Sequence, residues 1–516
     1  MAAASAAGFR PQCRWFPLAL VTVFLLAFVV RLAGILRGAG LHAGGNYDDG
    51  VHFAAALGLI NGLLPYRDFL LLHPPGVAIL LAPFAALSWL IGEPDAVAVA
   101  RLAWMLLGGV NAVLCTLALR PVHRLAGLLA GLCYALSPGA VYVEHTMLLE
   151  APATTMLLAA LVVTRLLGAE YTIRTRHYVV AGLLLGFSPV LKIWGVVPLL
   201  VMVVAICARR GRRPGLITLG AAVGMCAAAC LPFFVSAPVQ MWQMVIVAQV
   251  GRRRVDESPA ERLTDLLGLR GWTPDPTQWS VVLTLAIALL VLCLVLCLLR
   301  TELRAIAALL VTHGALAMTT PMWFVHYAGL TSAPIALAVG GGVAVLLSWC
   351  GRLEPTPVAR GLSVALVALT AVGILALAYP MRTQTLGGRE FPAAELAPTA
   401  GRLPGCLATD WPLALLQLNL MQRQIDRGCR FVVDLGGYSY YLTDSAYHDQ
   451  TRRKNKDWQM LALAYYRSAD AVLPVRFSAE SGYSAATART MTSWPVLVKA
   501  GGCAIRVPQP EEPRER

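Results

Sequence analysis

The sequence predicts a polytopic α-helical membrane protein of about 11 transmembrane helices plus juxtamembrane helices, with a C-terminal extracytoplasmic α/β domain. Of its 516 residues, 58% are hydrophobic and only 14% are charged, whereas soluble domains carry about 25% charged residues. Apolar runs near the ~20 residues that cross a bilayer recur along most of the chain. The formal net charge of +14 resides in short basic clusters between these runs, which is the positive-inside pattern and argues against a nucleic-acid partner.

The chain begins with a short segment, 1–15, that we expect to be cytoplasmic because Arg10 and Arg14 precede the first apolar run. That run lacks a clear cleavage site, which favours a retained anchor over a signal peptide. We predict spans at 16–36, 96–119, 124–139, 150–168, 178–191, 193–208, 214–236, 279–299, 302–320, 328–348 and 361–380. With these spans, successive connections lie on alternate sides of the membrane. Every basic cluster is then cytoplasmic, at Arg120, Arg165, Arg209, Arg300 and Arg352.

This alternation requires that the apolar segment 75–92 does not cross the membrane. The segment is short, opens with Pro74-Pro75-Gly76, contains Pro83 and has no basic residue at its end. We therefore expect a helix lying in or dipping into the outer interface. Residues 40–95 then form one long outer loop with two juxtamembrane helices, at about 51–63 and 75–92.

A transmembrane domain over 16–380 is followed by a more polar segment, 381–508, and a disordered tail, 509–516. Strand-like runs at 405–409, 430–434, 471–476, 495–499 and 503–508 alternate with helical stretches at 412–427, 457–468 and 484–492. This pattern predicts a small α/β domain with a mainly parallel sheet on the outer face. Most of the twelve cysteines lie in apolar runs as small buried hydrophobes. Outside the membrane, Cys406 and Cys429 are a plausible disulfide pair.

Two adjacent carboxylates, Asp48 and Asp49, stand just outside the first span and have no obvious packing role. One of them is suited to act as a general base, since burial near lipid raises a carboxyl pKa. The alternative is that Asp48 or Asp49 caps a helix that starts near Val51. We favour Asp48 slightly as the base, because Asp49-Gly50 resembles a helix start.

Further polar residues share the predicted outer face. Lys192 is either a cation for a phosphate or a side chain that snorkels to the interface. His326 and Tyr327 lie in an outer loop beside Trp323, where a histidine is otherwise structural or exposed. Arg31 and Arg101 lie within spans and are either functional or snorkelling. The remaining polar candidates on this face are Glu144, His145, Glu150 and Arg252-Arg253-Arg254. The three arginines either bind phosphate or indicate an error in the predicted topology at this point.

Acidic groups and cations gathered on one membrane face above apolar helices suit a lipid-phosphate substrate. A polyprenyl chain would lie between the helices, and lysine or arginine would hold the phosphate. A carboxylate would activate an acceptor hydroxyl, and the cations would stabilise the leaving phosphate.

These motifs resemble those of the GT-C superfamily of integral-membrane glycosyltransferases, in particular the branch of protein O-mannosyltransferases and the lipid A aminoarabinose transferase. The resemblance covers roughly 16–380 and rests on five features of this sequence. They are Tyr47-Asp48-Asp49-Gly50, Pro65-Tyr66-Arg67-Asp68, His73-Pro74-Pro75-Gly76, Glu150 after the third span and Lys192 at the end of a later one.

The resemblance implies transfer of a sugar from a polyprenyl-phosphate donor to a glycan, lipid or protein acceptor of the cell envelope, on the extracytoplasmic face of the plasma membrane. It assigns the base to Asp48 or Asp49. It implies no certain cofactor, although a divalent metal is possible. The expected substrate-binding residues are Tyr66, Arg67, Asp68, His73, Glu150, Lys192, His326 and Tyr327. The competing interpretations are a flippase of lipid-linked sugars, against which the lack of a repeat argues, and a non-catalytic envelope assembly protein.

Overall fold

The computed structural model of the chain describes residues 15–168, 173–254, 257–271, 276–352, 356–442, 444–447, 449–476 and 482–510. Nearly all of the predicted N-terminal segment 1–15, and 511–516 of the predicted tail, lie outside these ranges. The described residues up to 382 are mainly helical. Their helices are α1 Trp15–Leu36, α2 Tyr47–Ile60, α3 Gly76–Ile91, α4 Glu93–Leu119, α5 Arg124–Ala135, α6 Pro138–Glu144, α7 Glu150–Thr164, α8 Thr175–Leu191, α9 Val196–Arg210, α10 Arg212–Ser236, α11 Pro238–Trp242, α12 Ala248–Val250, α13 Pro259–Leu266, α14 Pro276–Leu298, α15 Arg304–Thr319, α16 Ala328–Cys350 and α17 Pro357–Ala378.

Each of the predicted spans coincides with a helix, but not all of these helices are long enough to cross a bilayer by themselves. Among the described residues, 7 helices are long and apolar enough, or 8 if α5 and α6 form one span bent by 59°. The bend follows from Pro138 at the start of α6, since proline cannot continue the hydrogen bonding of α5. Helices α3, α7 and α15 are apolar but shorter. The protein is therefore a multi-helix membrane protein, and the count of about 11 spans stays a prediction.

The helix connections gather at two ends of the bundle. One end contains four connections that line a common cavity, at Pro121, Leu167, Arg209 and Arg300. At the other end Lys192 contacts Glu150 and lies over the ring of Tyr327. Helix α4 has 27 residues, which at 1.5 Å per residue places its two ends about 40 Å apart. The connections therefore alternate between the two ends as the basic clusters predict.

The first loop folds into helices α2 and α3, as expected, with different bounds. Helix α2 begins at Tyr47, and the side chain of Asn46 accepts a hydrogen bond from the backbone N–H of Asp48. The alternative that Asp48 or Asp49 caps a helix starting near Val51 is therefore wrong, because Asn46 is the cap. Helix α3 follows after residues 61–75, and a Cβ on its first residue, Gly76, would lie 2.4 Å from the carbonyl oxygen of Val190. The first loop is thus packed tightly onto the end of α8.

The C-terminal segment forms a four-stranded sheet with helices around it. Strand β1 pairs with β2 in parallel, whereas β2 pairs with β4 and β3 with β4 in antiparallel. The elements are α18 Ala393–Arg402, β1 Leu407–Thr409, α19 Pro412–Gln417, α20 Met421–Asp426, α21 Tyr438–Tyr441, α22 Lys456–Arg467, β2 Ala471–Leu473, α23 Ala485–Ser493, β3 Val496–Ala500 and β4 Cys503–Arg506.

Two predictions for this segment are wrong. The sheet is mixed and not mainly parallel, because the last two strands form a hairpin turned by Gly501 and Gly502, both with positive φ. Residues 430–434 form no strand and instead lead into α21, with Asp434 turned toward the first loop. The predicted disulfide is present, with Cys406 and Cys429 joined by an S–S bond of 2.06 Å.

The C-terminal segment does not pack as a separate body. A continuous hydrophobic core joins α2, α3 and α4 to α19, β1 and β2. A Cβ on Gly50 would lie 2.5 Å from the backbone nitrogen of Leu413, so α19 lies directly on α2. The Glu93 carboxylate accepts hydrogen bonds from the backbone N–H groups of Met421 at 2.9 Å and Gln422 at 2.6 Å, at the start of α20. The first loop and the C-terminal segment therefore lie on the same face of the bundle.

Candidate functional site

The two adjacent aspartates have opposite environments. Asp49 is fully buried and receives a hydrogen bond from Nη2 of Arg101 at 2.9 Å. The hydroxyl of Thr146 and the backbone N–H of Met147 also donate to it. Gly45, with a φ of +60°, allows the Arg101 guanidinium to lie against the loop, where a Cβ would overlap it. Asp49 is thus the partner of Arg101 in a buried ion pair, and its side chain is not exposed in the part of the chain that the structure describes.

Asp48 is partly exposed. Within the described parts of the chain, neither oxygen of its carboxylate has a hydrogen-bond or ion-pair partner. Its charge acts on Tyr142, His326, Tyr327 and Asp434, which come from three different parts of the chain. The first turn of α2 therefore directs Asp48 into a polar region between the helices and the C-terminal segment.

A cation and its acidic partner lie in this region. Lys192 Nζ is 2.5 Å from Glu150 Oε1, and His326 Nε2 is 3.8 Å from the same oxygen. The ammonium also lies 4.7 Å from the ring centroid of Trp194 and 4.4 Å from that of Tyr327. Lys192 is 6% exposed and held by Glu150, so the alternative that it merely snorkels to the interface is wrong. An ammonium has three N–H donors, and its contact with Glu150 leaves two for a further anion.

The first loop brings His73 to the same cluster. Its ring lies 5.8 Å from that of His52, whose Nδ1 contacts the carbonyl oxygen of Met147 and whose buried Nε2 has no partner among the described residues. Burial lowers the pKa of His73 well below its usual value, and the nearby Lys192 and Arg252 lower it further. His73 is therefore uncharged at neutral pH, and Lys192 and Arg252 are the neighbouring groups that carry positive charge.

Two arginines predicted to be functional or snorkelling are neither exposed nor in this cluster. Arg101 pairs with Asp49, as described, and is fully buried. Arg31 is also fully buried and donates through Nε to Glu144 at 2.8 Å. Tyr134 and Asn111 satisfy the other oxygen of Glu144. The snorkelling alternative is therefore wrong for both arginines, and each forms a buried ion pair that holds helices together.

The Tyr66-Arg67-Asp68 stretch forms a turn and is not brought together with the cation cluster as a whole. Arg67 and Asp68 form an exposed ion pair with each other at 2.8 Å, and Asp68 also accepts from the backbone N–H of Leu64. Tyr66 is buried and donates to the carbonyl oxygen of His73 at 2.8 Å. Tyr66 thus supports the loop that presents His73, whereas substrate binding by Arg67 and Asp68 stays a prediction without a supporting contact.

The C-terminal segment supplies residues that the sequence pattern did not reveal. Tyr47 donates to Asp434 Oδ1 at 2.8 Å, and the Arg476 guanidinium lies 4.7 Å from the Tyr47 ring centroid. Burial raises the pKa of Asp434. Arg252 lies 4.7 Å from the ring centroid of Tyr440. No local signal marks these residues, because each becomes relevant only when the C-terminal segment folds back onto the first loop.

The arrangement offers a free carboxylate, a group of cations and apolar helices beneath them. Within the described residues, no group of three or more His, Cys, Asp or Glu side chains is placed to hold a metal ion. Among the described side chains, the carboxylate of Asp48 thus stands without a partner near the cluster of Lys192, His326 and Tyr327.

No protein-family model and no curated protein sequence matches the chain. Solved structures do resemble it. ArnT from Cupriavidus metallidurans in the apo state gives a TM-score of 0.58 at 15% identity, over 96% of this chain and 99% of that one. The same protein bound to undecaprenyl phosphate gives 0.55 at 14% identity, with the same coverage.

A third neighbour is the archaeal oligosaccharyltransferase AglB from Archaeoglobus fulgidus, in complex with an inhibitory peptide and a dolichol-phosphate. Its TM-score is 0.56 at 11% identity, over 89% of this chain and 69% of that one. At such identities the likeness concerns the fold. It agrees with the resemblance seen in the first-loop motifs, and the chain therefore has the GT-C glycosyltransferase fold.

Proposed function

We propose that this protein transfers a sugar from a polyprenyl-phosphate donor to a cell-envelope acceptor on the extracytoplasmic face of the plasma membrane, with Asp48 as the general base. The observation that carries the proposal is the contrast between the two aspartates. Asp49 is neutralised by Arg101, whereas the carboxylate of Asp48 has no partner among the described residues. Two of the structures named above contain a lipid phosphate, dolichol-phosphate in AglB and undecaprenyl phosphate in ArnT, which supports a donor of this chemical class.

Asp48 has the properties of a general base for an acceptor hydroxyl. A base must be within hydrogen-bond reach of the proton that it removes, and an unpaired carboxylate needs no rearrangement to accept it. Asp48 is also fixed in position, because α2 is capped by Asn46 and packed under α19. A rigid base at a partly exposed position is what proton removal from a bound acceptor requires.

Lys192 and Arg252 are suited to hold the donor phosphate. Glu150 and the rings of Trp194 and Tyr327 keep Lys192 in place. The histidines His73 and His326 border the same space, and a neutral imidazole has one N–H to offer a phosphate oxygen. The Nδ1–H of the neighbouring His52 is already donated to the carbonyl oxygen of Met147. Preorganised donors of this kind stabilise charge as it develops on a leaving group.

The transfer step follows from these positions. Asp48 takes the proton of the acceptor hydroxyl, and the hydroxyl oxygen forms a bond to the anomeric carbon of the donor sugar. The bond between that carbon and the phosphate oxygen breaks with inversion. The bonding electron pair leaves with the polyprenyl phosphate, and Lys192 and Arg252 stabilise its added negative charge. Asp48 then releases its proton to water.

The proposal is tested by mass spectrometry of a deletion strain. The transferase hypothesis predicts accumulation of one polyprenyl-phosphate sugar together with loss of one glycan from the envelope. A lipid-linked sugar pool and envelope glycans that are unchanged would refute it.

The flippase hypothesis predicts a different activity in vitro. Purified protein in proteoliposomes would move labelled lipid-linked sugar across the bilayer in the absence of any acceptor. The proposed transferase does not move the lipid, so a protein-dependent movement would contradict the proposal.

A further inference from the structure

A cavity of about 350 Å³ lies at the end of the bundle opposite Asp48. It is bounded by the α4–α5 connection, the residues that follow α7, the end of α9, the α14–α15 connection and the last turns of α16. These are the parts of the chain that the basic clusters predict to be cytoplasmic. The cavity is thus separate from the proposed transfer site by the length of α4, and that site does not account for it.

Two arginines, Arg209 and Arg300, line this cavity, and a hydrogen bond fixes the position of each guanidinium. Arg209 donates through Nη2 to the carbonyl oxygen of Gly168 at 3.0 Å. Arg300 donates through Nη2 to the hydroxyl of Ser348 at 2.7 Å and lies 3.7 Å from Glu302. Both side chains are half-buried. A guanidinium has five N–H donors in a planar fork, so the contacts of Arg300 with Ser348 and Glu302 leave donors for a ligand.

The charges and shape of the cavity select the chemistry of the ligand. The two guanidinium groups outnumber the one acidic side chain in the wall, Glu302. The wall also contains the side chains of Leu167, Leu303 and Val345, which favour an apolar stem next to the anion. Arginine forks match the oxygens of phosphate groups. Basic pockets between helices on the cytoplasmic side are suited to phospholipid head groups.

The general excess of basic residues on this face does not explain the cavity by itself. Arg212 and Arg213 belong to the same basic cluster as Arg209, yet they are exposed and do not line the cavity. Topology requires only that arginines lie on this side of the membrane. It does not require that Arg209 and Arg300, from distant parts of the chain, lie in the wall of one cavity with apolar residues between them.

We propose that this cavity binds the phosphate group of an anionic ligand through Arg209 and Arg300, with a phospholipid head group or a free phosphate as the source. Such a ligand would join α9, α16 and the α14–α15 connection at a distance from the transfer site. The proposal is independent of the proposed function, since it uses none of the residues around Asp48.

The test uses the full-length protein in nanodiscs of phosphatidylcholine, to which phosphatidylglycerol is added in increasing amounts. Bound phosphatidylglycerol is counted by native mass spectrometry, and the midpoint of thermal unfolding is measured in parallel. A second arm adds inorganic phosphate to the phosphatidylcholine sample. The variants are Arg209→Ala with Arg300→Ala, and the matched control Arg212→Ala with Arg213→Ala, which removes the same charge from the same face.

We expect the cavity double variant to weaken phosphatidylglycerol binding by about tenfold or more, because charge-assisted bonds to phosphate are lost. The control double variant should keep its affinity within about twofold, since exposed charges contribute little. Equal loss in both double variants, or equal retention, would overturn the proposal. Protection by inorganic phosphate that depends on Arg209 and Arg300 would support the site and identify a free anion as its source. Protection by phosphatidylglycerol alone would identify a lipid.

Discussion

The buried pair of Asp49 and Arg101 gives the sharpest stability prediction for this protein. Both side chains have 0% relative exposure, and they are joined by a hydrogen bond of 2.9 Å. Asp49→Asn keeps the shape of the side chain but leaves the Arg101 guanidinium buried without a counter-charge. Removing one partner of a buried ion pair costs about 3–5 kcal/mol. We expect this loss to appear in the free energy of unfolding.

The measurement is unfolding by sodium dodecyl sulfate in mixed micelles, followed by tryptophan fluorescence. Asp48→Asn is the matched control, because it makes the same chemical change at the adjacent residue, whose carboxylate has no partner among the described residues. We expect it to change the unfolding free energy by less than about 0.5 kcal/mol. Combining Asp49→Asn with Arg101→Met should recover part of the loss, since both charges are then removed. The reasoning is refuted if Asp49→Asn unfolds like the wild type, or if Asp48→Asn is the more destabilised of the two.

The remaining predictions concern the C-terminal segment and the cation cluster. Replacing Cys406 and Cys429 by serine opens a loop with a sequence separation of 23 and should destabilise the C-terminal segment by about 3 kcal/mol; a denaturant midpoint equal to that of the wild type would contradict this. Glu93→Ala removes the carboxylate that accepts from two backbone N–H groups at the start of α20 and so caps this helix. The free energy of unfolding should fall by about 1–2 kcal/mol, and amide exchange in α20 should become faster. Unchanged exchange would argue against this capping role. Because the pKa of His73 is held well below 6.5, only the unfolded chain takes up a proton there as the pH falls below about 6.5. Stability should therefore decline with falling pH, and His73→Asn should reduce that decline in thermal unfolding; an identical pH profile would refute the assignment.

Much of the helical architecture could be predicted from the sequence, because apolar run length and basic residues act locally. The runs fixed where helices occur, and the positions of arginines predicted which connections share an end of the bundle. The bounds of α2 were missed because Asn46 is as good a cap as the aspartates that follow it. The mixed sheet was missed because strands that alternate with helices usually pair in parallel. That pattern does not show that β3 and β4 form a hairpin, in which β4 runs antiparallel to both of its neighbours.

The candidate site was only partly predictable, for a different physical reason. Asp48, His73, Glu150, Lys192 and His326 were recognisable as polar residues on one predicted face. Their partners depend on tertiary contacts that no local pattern encodes. Nothing in the sequence around Asp49 indicates that Arg101 and Thr146 neutralise it, and nothing around Asp434 indicates that it reaches Tyr47. Our proposal of Asp48 over Asp49 as the base therefore depends on these tertiary contacts.

The central claim is that Asp48 is the base of glycosyl transfer, and complementation of a deletion strain tests it most directly. The strain would carry the wild-type chain, Asp48→Asn, or the control Asp95→Asn, which alters an exposed carboxylate paired with His42 near the start of α4. Each variant would be quantified in membranes, and the envelope glycans would be measured by mass spectrometry. Loss of a general base lowers the rate by about 10²–10⁴-fold, so Asp48→Asn should leave the glycan absent while Asp95→Asn restores it. Full restoration of the glycan by Asp48→Asn, at wild-type protein levels, would contradict the account.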